Sequence, residues 1–241
     1  MPKTSEKTPT SICENCNLKQ NGFLCHLTPA AAKEFEPIKL SSHFPAGSIL
    51  FMENEPARGV FLVCSGKVKL SVSSKGGKTL ILQMAKPGEV IGLSASMSGV
   101  PYEVTAEVLY PSQVVFIRRE DFLRFVHRFP EAYEAVIRQL NLQYGRACEQ
   151  LRTIGLSTTA HEKLARLFLH WSSAEKQAKE ANQIRVPLTH EQIAACLGST
   201  RETVTRTLSD FKHKHLVTLR GTTVMIPDRS ALMAISGDWK V

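Results

Sequence analysis

The residues with the most specific chemistry are four polar side chains, spaced to share one face of a helix: Arg201, Glu202, Thr205 and Arg206. The guanidinium fork of an arginine matches the two acceptors on the edge of guanine, and a glutamate accepts from the amino group of cytosine. A helix that presents these groups suits the major groove of double-stranded DNA. We therefore predict that this face reads bases, and that Thr200, directly before it, adds a contact.

The residues around this face predict a helix-turn-helix. Thr189 and Gln192 form a Thr-x-x-Gln capping box that starts the first helix, and Gly198 follows its end, where a positive φ is often needed. Ser199 and Glu202 predict a second capping box, although a Glu202 that caps the helix cannot also read a base well. The second helix would bury apolar residues at helical spacing, namely Val204, Leu208 and Phe211.

A short hairpin follows the predicted helix pair. Residues 216–219 and 223–226 are typical of two strands, with Arg220 in the tight tip between them. A helix-turn-helix followed by a hairpin is a winged helix domain, which we assign to residues 156–241. Arg220 is then positioned to contact a DNA phosphate.

From about Leu40 to Ile117 the sequence shows a different pattern, with short alternating segments separated by glycine, such as 59–63 and 79–82. We assign this part to a sensor domain over residues 28–129. The even spacing of the segments and a hairpin turn at Gly76-Gly77 favour an antiparallel β-roll. Thr28 and Pro29 predict the start of a short helix in front of it.

After Pro130 the apolar residues recur at alternating steps of four and three, which is the heptad pattern of a coiled coil. This seam consists of Tyr133, Ile137, Leu140, Tyr144, Ala147, Leu151 and Ile154. The stripe could instead pack against the chain's own β-roll, but strict spacing over about three heptads favours a two-stranded coiled coil. We predict a dimerisation helix over residues 130–155 and a hinge at Gly155 and 157–159. The fold class is thus α+β: an N-terminal antiparallel β-roll, a long dimerisation helix and a C-terminal winged helix-turn-helix.

Three of the six cysteines cluster near the N-terminus, Cys13, Cys16 and Cys25, and His26 follows them. Thiolate and imidazole ligands at such close spacing suit zinc or an iron–sulfur cluster, while a purely structural role is the alternative. We expect residues 1–27 to form a disordered, cysteine-rich segment.

Composition limits the class of protein. The chain of 241 residues carries a net charge of +8, which suits a polyanionic partner. Residues 156–241 hold twelve Lys and Arg against eight Asp and Glu, so half of the excess lies near the predicted helix-turn-helix. Without a membrane-length apolar run or a signal peptide, we expect a cytoplasmic protein with no membrane role. Without a nucleophile–base motif, a Walker loop or a dinucleotide fingerprint, we expect that it is not an enzyme.

The order of these parts resembles the CRP/FNR family of bacterial transcription regulators. The likeness extends over about residues 28–232, and segments 45–47, 63–66 and 87–92 make the β-roll similar to the cyclic-nucleotide-binding fold. Segment 199–206 is close to the family's recognition-helix signature. The resemblance implies a homodimer that binds palindromic promoter sites with TGTGA-like half-sites, and RNA polymerase as a partner.

The resemblance also implies a nucleotide pocket with a Gly-Glu pair at a short helix and an Arg-Ser pair after it. Here Leu93 replaces the glutamate, and Tyr102-Glu103 replaces Arg-Ser. A buried Glu103 would repel a cyclic phosphate. We therefore expect no binding of cyclic AMP, and either another ligand or a scaffold role for the β-roll.

The oxygen-sensing branch of this family has an N-terminal cysteine cluster that is completed by a cysteine late in the β-roll. This chain has no cysteine in the corresponding region around Val114-Val115. An iron–sulfur cluster on the three N-terminal cysteines would need Cys64 or, on the long helix, Cys148 as its fourth ligand. Cys64 also suits a small apolar core position.

Together these patterns predict a dimeric, sequence-specific DNA-binding transcription regulator, controlled by a signal at the β-roll or the N-terminal cysteines. The alternative is a ligand-binding module of the cyclic-nucleotide type, joined to a protein-interaction domain and without a role on DNA. The two arginines Arg201 and Arg206 beside Glu202 favour the regulator.

Overall fold

A computed structural model of the protein describes residues 22–23, 27–174, 183–185 and 188–237. The predicted ligands Cys13, Cys16 and Cys25, and with them most of the segment predicted to be disordered, lie outside these residues. The described chain divides into two compact units. One contains residues up to Leu70 together with Gln83–Tyr144, and the other contains Ser71–Leu82 together with the residues from Gly145 onward.

Two four-stranded sheets form the β-roll. The strands are β1 (Leu40–Phe44), β2 (Ile49–Phe51), β3 (Gly59–Val63), β4 (Lys67–Ser73), β5 (Thr79–Ala85), β6 (Val90–Ile91), β7 (Thr105–Tyr110) and β8 (Ser112–Arg118). Their order is β1-β8-β3-β6 in one sheet and β2-β7-β4-β5 in the other. β8 pairs antiparallel with both β1 and β3, and β2 pairs antiparallel with β7. The predicted antiparallel β-roll is confirmed.

β3 is buried along its whole length because its two faces contribute to two different cores. Val60 and Leu62 belong to a core between the first sheet and the helices, which we call the helix–sheet core. Phe61 and Val63 belong to a core between the two sheets, which we call the intersheet core. Side chains alternate between the faces of a strand, so a continuous apolar run is required here.

The turn between β4 and β5 lies at Gly76-Gly77, as predicted. The N–H of Gly77 donates to the carbonyl of Ser74 over 2.9 Å. Gly77 has a φ of +79°, in the left-handed region that glycine adopts without strain. This turn fixes the register of the hairpin.

The helices before residue 157 are α1 (Pro29–Phe35), α2 (Leu93–Ser98), α3 (Arg119–Arg128) and α4 (Pro130–Leu156), with a short 3-10 turn at Glu36–Ile38. α1 begins as predicted, since the Thr28 hydroxyl accepts from the N–H of Ala31 at 3.2 Å and Pro29 occupies the first helical position. Phe35 and Phe122 are fully buried in the helix–sheet core. The predicted start of this segment is therefore correct.

The long helix α4 buries one side and exposes another. Ala132, Ala135 and Val136 pack in the helix–sheet core, and buried Gln139 donates its side-chain amide to the carbonyl of Val90 at 2.8 Å. Of the predicted seam, Leu140 and Ile154 are half-buried, whereas Tyr133, Ile137, Tyr144, Ala147 and Leu151 are exposed. Most of the seam therefore lies outside the chain's own core.

Of the predicted hinge after α4, residues 157–159 do lie between two helices, and only Gly155 is placed wrongly. Gly155 is helical, and the chain leaves the helix only after Leu156. A glycine inside a helix costs about 1 kcal/mol relative to alanine, which a helix of this length tolerates.

The C-terminal unit contains α5 (Ala160–Ala174), β9 (Gln183–Arg185), α6 (His190–Leu197), α7 (Arg201–His213), β10 (Thr218–Arg220), β11 (Thr223–Met225) and α8 (Arg229–Ile235). The predicted hairpin is β10 and β11, paired antiparallel. β9 adds a third strand on β11, and α8 is the last element of the described chain; the sequence patterns predicted neither element. No helix in the described part of the chain has the length and apolarity that crossing a membrane requires.

Candidate nucleic-acid interface

The first helix of the helix-turn-helix, α6, begins with the predicted capping box. The hydroxyl of Thr189 accepts from the N–H of Gln192 at 3.2 Å, and the side-chain oxygen of Gln192 accepts from the N–H of Thr189 at 3.0 Å. The box satisfies two N–H groups at the helix start. It thereby fixes where α6 begins.

The turn between α6 and α7 depends on Gly198, whose φ of +60° lies in the left-handed region. The N–H of Ser199 donates back to the carbonyl of Ala194 at 3.0 Å. The predicted capping box at Ser199 is therefore wrong, because Ser199 still belongs to the turn. Thr200 is the N-cap of α7, and its hydroxyl accepts from the N–H of Thr203 at 3.3 Å.

α7 has one buried side and one exposed side. Val204, Leu208 and Phe211 are buried as predicted. The opposite side brings together the predicted base-reading residues, all of them exposed: Arg201, Glu202, Thr205 and Arg206. Thr200 is exposed next to them, but its hydroxyl is already engaged as the cap. The structure thus forms the predicted surface, with two arginines and one glutamate as its charged groups.

With Thr200 as the N-cap, Glu202 is the second residue of α7, and a capping box needs its acidic partner at the third. Hydrogen bonds from its own backbone N–H and from the Thr200 hydroxyl hold the pKa of the Glu202 carboxyl below its ordinary value. The side chain is fully exposed and ionised at neutral pH. An exposed carboxylate accepts hydrogen bonds only, and this suits the amino group of cytosine.

Thr205 makes two hydrogen bonds inside the protein. Its hydroxyl donates to the carbonyl of Arg201 at 2.9 Å. The ring nitrogen Nδ1 of His190, at the start of α6, lies 2.8 Å from the same hydroxyl. His190 could not be identified from the sequence, because no local pattern indicates a contact between residues fifteen positions apart.

The C-terminal end of α7 contacts α5 through His161. Nε2 of His161 lies 2.9 Å from the carboxylate of Asp210, and Nζ of Lys214 lies 3.2 Å from it. Hydrogen bonds from His161 and Lys214 lower the pKa of the Asp210 carboxyl below its ordinary value. The His161 ring also packs against Phe211, with 5.7 Å between ring centroids. These contacts help to orient the recognition helix on its own domain.

Arg220 ends β10 and is exposed at the tip of the wing, as the sequence predicts. Gly221, with a φ of +59°, allows the tight reversal that pairs Arg220 with Thr223. A guanidinium at such a tip suits a phosphate oxygen. The contact with DNA itself stays a prediction.

The second region of interest is the interior of the β-roll, around Tyr102. The Tyr102 ring is buried and stacks on Phe51, with 4.0 Å between centroids. Its hydroxyl and that of Ser96 both donate to the carbonyl of Gly59, at 2.7 and 2.9 Å. A side chain added at Gly92 would meet the Tyr102 ring at 2.9 Å. The chain's own aromatic side chain therefore fills this region.

The prediction of a buried Glu103 is wrong. Glu103 is exposed, and its neighbour Tyr102 takes the inward position. Leu93, which replaces the carboxylate expected from the family resemblance, is buried in the helix–sheet core. This position is thus used for packing.

The described cysteines are mostly packed among apolar side chains. Cys64 is half-buried against the helix–sheet core, with its sulfur 3.9 Å from the carbonyl of Leu62. Cys148 on α4 is half-buried, and Cys196 in α6 is buried. Within the part of the chain that the structure describes, no three His, Cys, Asp or Glu side chains are arranged to hold a metal ion. A metal or cluster at Cys13, Cys16, Cys25 and Cys64 stays a prediction.

Comparison with known proteins identifies both domains. Residues 41–129 match the family model of the cyclic nucleotide-binding domain, and residues 162–235 match that of the Crp-like helix-turn-helix domain. A β-roll of this type followed by a winged helix-turn-helix defines a class of DNA-binding transcription regulators.

Relatives that align with most of the chain are also transcription regulators. The chain is 28% identical over 232 residues to the transcriptional activator protein anr of Pseudomonas aeruginosa, covering 95% of this chain and 94% of that protein. It is 27% identical over 205 residues to a CRP-like cAMP-activated global transcriptional regulator of Mycobacterium tuberculosis, covering 84% of this chain and 89% of that protein. The structure of FixK2 from Bradyrhizobium japonicum has the same fold, with a TM-score of 0.74 at 21% identity over 84% of this chain and all of that one. The chain belongs to the CRP/FNR family of transcription regulators.

Proposed function

We propose that this regulator acts as a homodimer on palindromic promoter sites in double-stranded DNA, with one recognition helix in each half-site. The observation that carries the proposal is the exposed face of α7, where Arg201, Glu202 and Arg206 lie together. TGTGA-like half-sites agree with this set of side chains, since two arginines suit guanines and the glutamate suits a cytosine. Arg220 on the wing adds a phosphate contact.

The exposed seam of α4 supports the dimer. Tyr144 and Leu151 are 72% and 70% exposed, and Ile137 is 45% exposed. Large apolar side chains at heptad spacing are covered when two such helices pair. A two-fold dimer also places two recognition helices about one DNA turn apart, which a palindromic site requires.

The signal enters at the β-roll or at the N-terminal cysteines, changes how the two long helices pack, and re-aims the recognition helices. An iron–sulfur cluster or zinc at Cys13, Cys16 and Cys25 would use Cys64 as the fourth ligand. In support of this choice, Phe23, two residues before Cys25, is buried in the same helix–sheet core against which Cys64 packs. At the promoter the partner is RNA polymerase, as in the family. The protein acts in the cytoplasm, where the promoter DNA is located.

Cyclic AMP is not the signal in this proposal, although one relative is named as cAMP-activated. Tyr102 occupies the place of the arginine that would neutralise the cyclic phosphate, and Leu93 occupies the place of the carboxylate that would hold the ribose. The buried phenol of Tyr102 cannot supply the positive charge of the arginine, and the apolar side chain of Leu93 cannot supply the negative charge of the carboxylate. The β-roll then serves another ligand or acts as a scaffold.

The test is selection of a binding site from random DNA, followed by affinity measurements on Arg206→Ala. Loss of one arginine–guanine pair costs about 1–3 kcal/mol in each half-site, so specific binding should fall at least tenfold while the dimer persists. Arg124→Ala is the matched control, because Arg124 is an exposed arginine on α3 that pairs with Asp121. Unchanged affinity of Arg206→Ala for the selected site would exclude α7 as the recognition helix.

A further inference from the structure

The side chain of Gln150, in the C-terminal half of α4, contacts two other elements of the second compact unit. Its amide nitrogen Nε2 lies 3.2 Å from the carbonyl oxygen of Ile81 on β5 and 2.5 Å from that of Cys196 on α6. All three residues belong to the unit that contains the helix-turn-helix. One half-buried amide thus connects the long helix, a strand of the β-roll and the first helix of the helix-turn-helix.

The chemistry of the two partners determines which end of the Gln150 amide faces them. Both partners are carbonyl oxygens, which only accept, and a glutamine amide carries its two protons on the nitrogen. The NH2 group must therefore face Ile81 and Cys196, and both of its protons are used. Cys196 lies in the last turn of α6, where carbonyls lack a partner within their own helix, and β5 is the edge strand of its sheet. Gln150 thus serves backbone positions at the end of one element and the edge of another.

These hydrogen bonds lie beside the turn that leads into the recognition helix. Cys196 is two residues before Gly198, the left-handed glycine of that turn. A Cβ placed on Gly198 would lie 3.6 Å from Cγ2 of Ile154 and 3.9 Å from Cδ1 of Leu80. Ile154 follows Gln150 by one turn of α4, and Leu80 directly precedes Ile81. Side chains of α4 and β5 therefore pack against the turn, and Gln150 adds the directional contacts that fix its orientation.

We propose that Gln150 is a positioning residue for operator binding: its amide holds the helix-turn-helix in one orientation against α4, and thereby fixes the distance between the two recognition helices of the dimer. This inference rests on the proposed function, since it needs a dimer with α7 in each half-site. Without the amide, each recognition helix keeps its base-reading face, but the pair is no longer matched to a single spacing of half-sites. Gln150 therefore determines which operator lengths the dimer accepts.

The experiment compares the selected operator with the same operator lengthened by one base pair between its half-sites. The insertion moves one half-site by about 3.4 Å along the DNA and about 34° around it. The ratio of the two affinities, which we call the spacing ratio, should be roughly a hundredfold for the wild type, because a rigid dimer cannot engage both half-sites of the longer DNA. Gln150→Met, which keeps the length of the side chain without its donors, should lower the spacing ratio about tenfold. Its affinity for DNA with a single half-site should equal that of the wild type.

Two further variants make the test specific. Gln150→Glu presents only acceptors to two carbonyl oxygens at neutral pH, and it should lower the spacing ratio at least as much as Gln150→Met. Gln143→Met is the matched control, because Gln143 is also a half-buried glutamine of α4 but donates to the carbonyl of Val90 in the β-roll, at 3.2 Å. It should keep the wild-type spacing ratio.

The outcomes separate this inference from the proposed function. A wild-type spacing ratio in both Gln150 variants would overturn the inference and leave the regulator proposal intact. An equal loss of affinity for the operator, the lengthened operator and the single half-site would also overturn it, since the amide would then only support the fold of the helix-turn-helix. If the wild type itself selects no palindromic site, the proposed function fails.

Discussion

The hydroxyl of Tyr102 donates to the carbonyl of Gly59 at 2.7 Å, and the N–H of Gly59 donates back to the same hydroxyl at 3.1 Å. This reciprocal pair lies inside the β-roll, beneath the stacked ring of Phe51. Burial raises the pKa of the Tyr102 phenol above its ordinary value, so the group remains a neutral donor at neutral pH. Tyr102 thus fills the interior of the β-roll at the position where the family resemblance implies a charged arginine.

Tyr102→Phe tests the polar part of this contact, and Tyr102→Ala tests the packing. Loss of the hydroxyl leaves the buried N–H of Gly59 without its acceptor, at a cost of about 1–3 kcal/mol in the free energy of unfolding. Truncation to alanine should cost more, about 3–5 kcal/mol, because the buried ring is lost as well. Denaturant unfolding measures both. Tyr133→Phe, on the exposed seam, is the control and should change little; equal stability of Tyr102→Phe and the wild type would contradict this account.

A second prediction concerns how Thr205 reads DNA. Since both hydrogen bonds of its hydroxyl are made within the protein, the group offered to a base is the methyl, which suits the methyl of thymine. Replacing the contacted thymine by uracil should weaken wild-type binding by about 0.8 kcal/mol. Thr205→Ser, which lacks the methyl, should be insensitive to that replacement, and Thr205→Val should remain sensitive. A Thr205→Ser protein that still distinguishes thymine from uracil would disprove the contact.

The N-terminal cysteines give a third prediction. Protein purified without oxygen should contain iron or zinc by metal analysis, and an iron–sulfur cluster would add visible absorption. Cys64→Ser should lower the bound metal if Cys64 is the fourth ligand, whereas Cys196→Ser, in buried helix α6, should not. Colourless, metal-free protein whose DNA binding ignores oxidants would remove the sensor role of these cysteines.

Local patterns in the sequence were sufficient where a few neighbouring residues determine the structure. The capping box of Thr189 and Gln192 and the buried side of α7 are of this kind. Ser199 was misjudged because Ser199 and Thr200 can both cap a helix, and only the geometry of the turn after Gly198 decides between them. The contact of His190 with Thr205 depends on how α6 packs on α7, so no local spacing could predict it.

The inward position of Tyr102 in the β-roll is another feature that local sequence patterns could not predict. Tyr102 and Glu103 are adjacent, and either could face the interior until the strands that surround them are known. The fold turns Tyr102 inward against Phe51 and leaves Glu103 in solvent. The absence of cyclic AMP binding stays a prediction, and its physical reason changes from repulsion by a carboxylate to occupation by an aromatic ring.

A fourth prediction follows from the lowered pKa of Asp210, whose main cause is the hydrogen bond from His161. A carboxyl whose pKa is lower in the folded state stabilises the protein above its unfolded pKa, about 3.9, and this contribution is lost as the pH falls through the folded pKa. Asp210→Asn should therefore reduce stability at pH 5 and make a smaller difference toward pH 3. In a His161→Gln background the effect of Asp210→Asn should shrink at every pH, as a thermal unfolding series would show. A difference that grows on acidification would contradict the sign of this shift.

The exposed seam of α4 makes the last prediction. Leu151 and Leu142 are both exposed leucines on this helix, at 70% and 62%, but only Leu151 lies at a seam position. Leu151→Glu removes apolar area from the predicted helix pair, worth about 1.5–3 kcal/mol for each buried leucine, and brings two like charges together. Sedimentation should then show a monomer, and affinity for a palindromic operator should fall because two half-sites no longer bind as a unit. Leu142→Glu introduces the same charge off the seam and should leave dimer and affinity intact. Dissociation by Leu142→Glu but not by Leu151→Glu would place the interface on another face of α4.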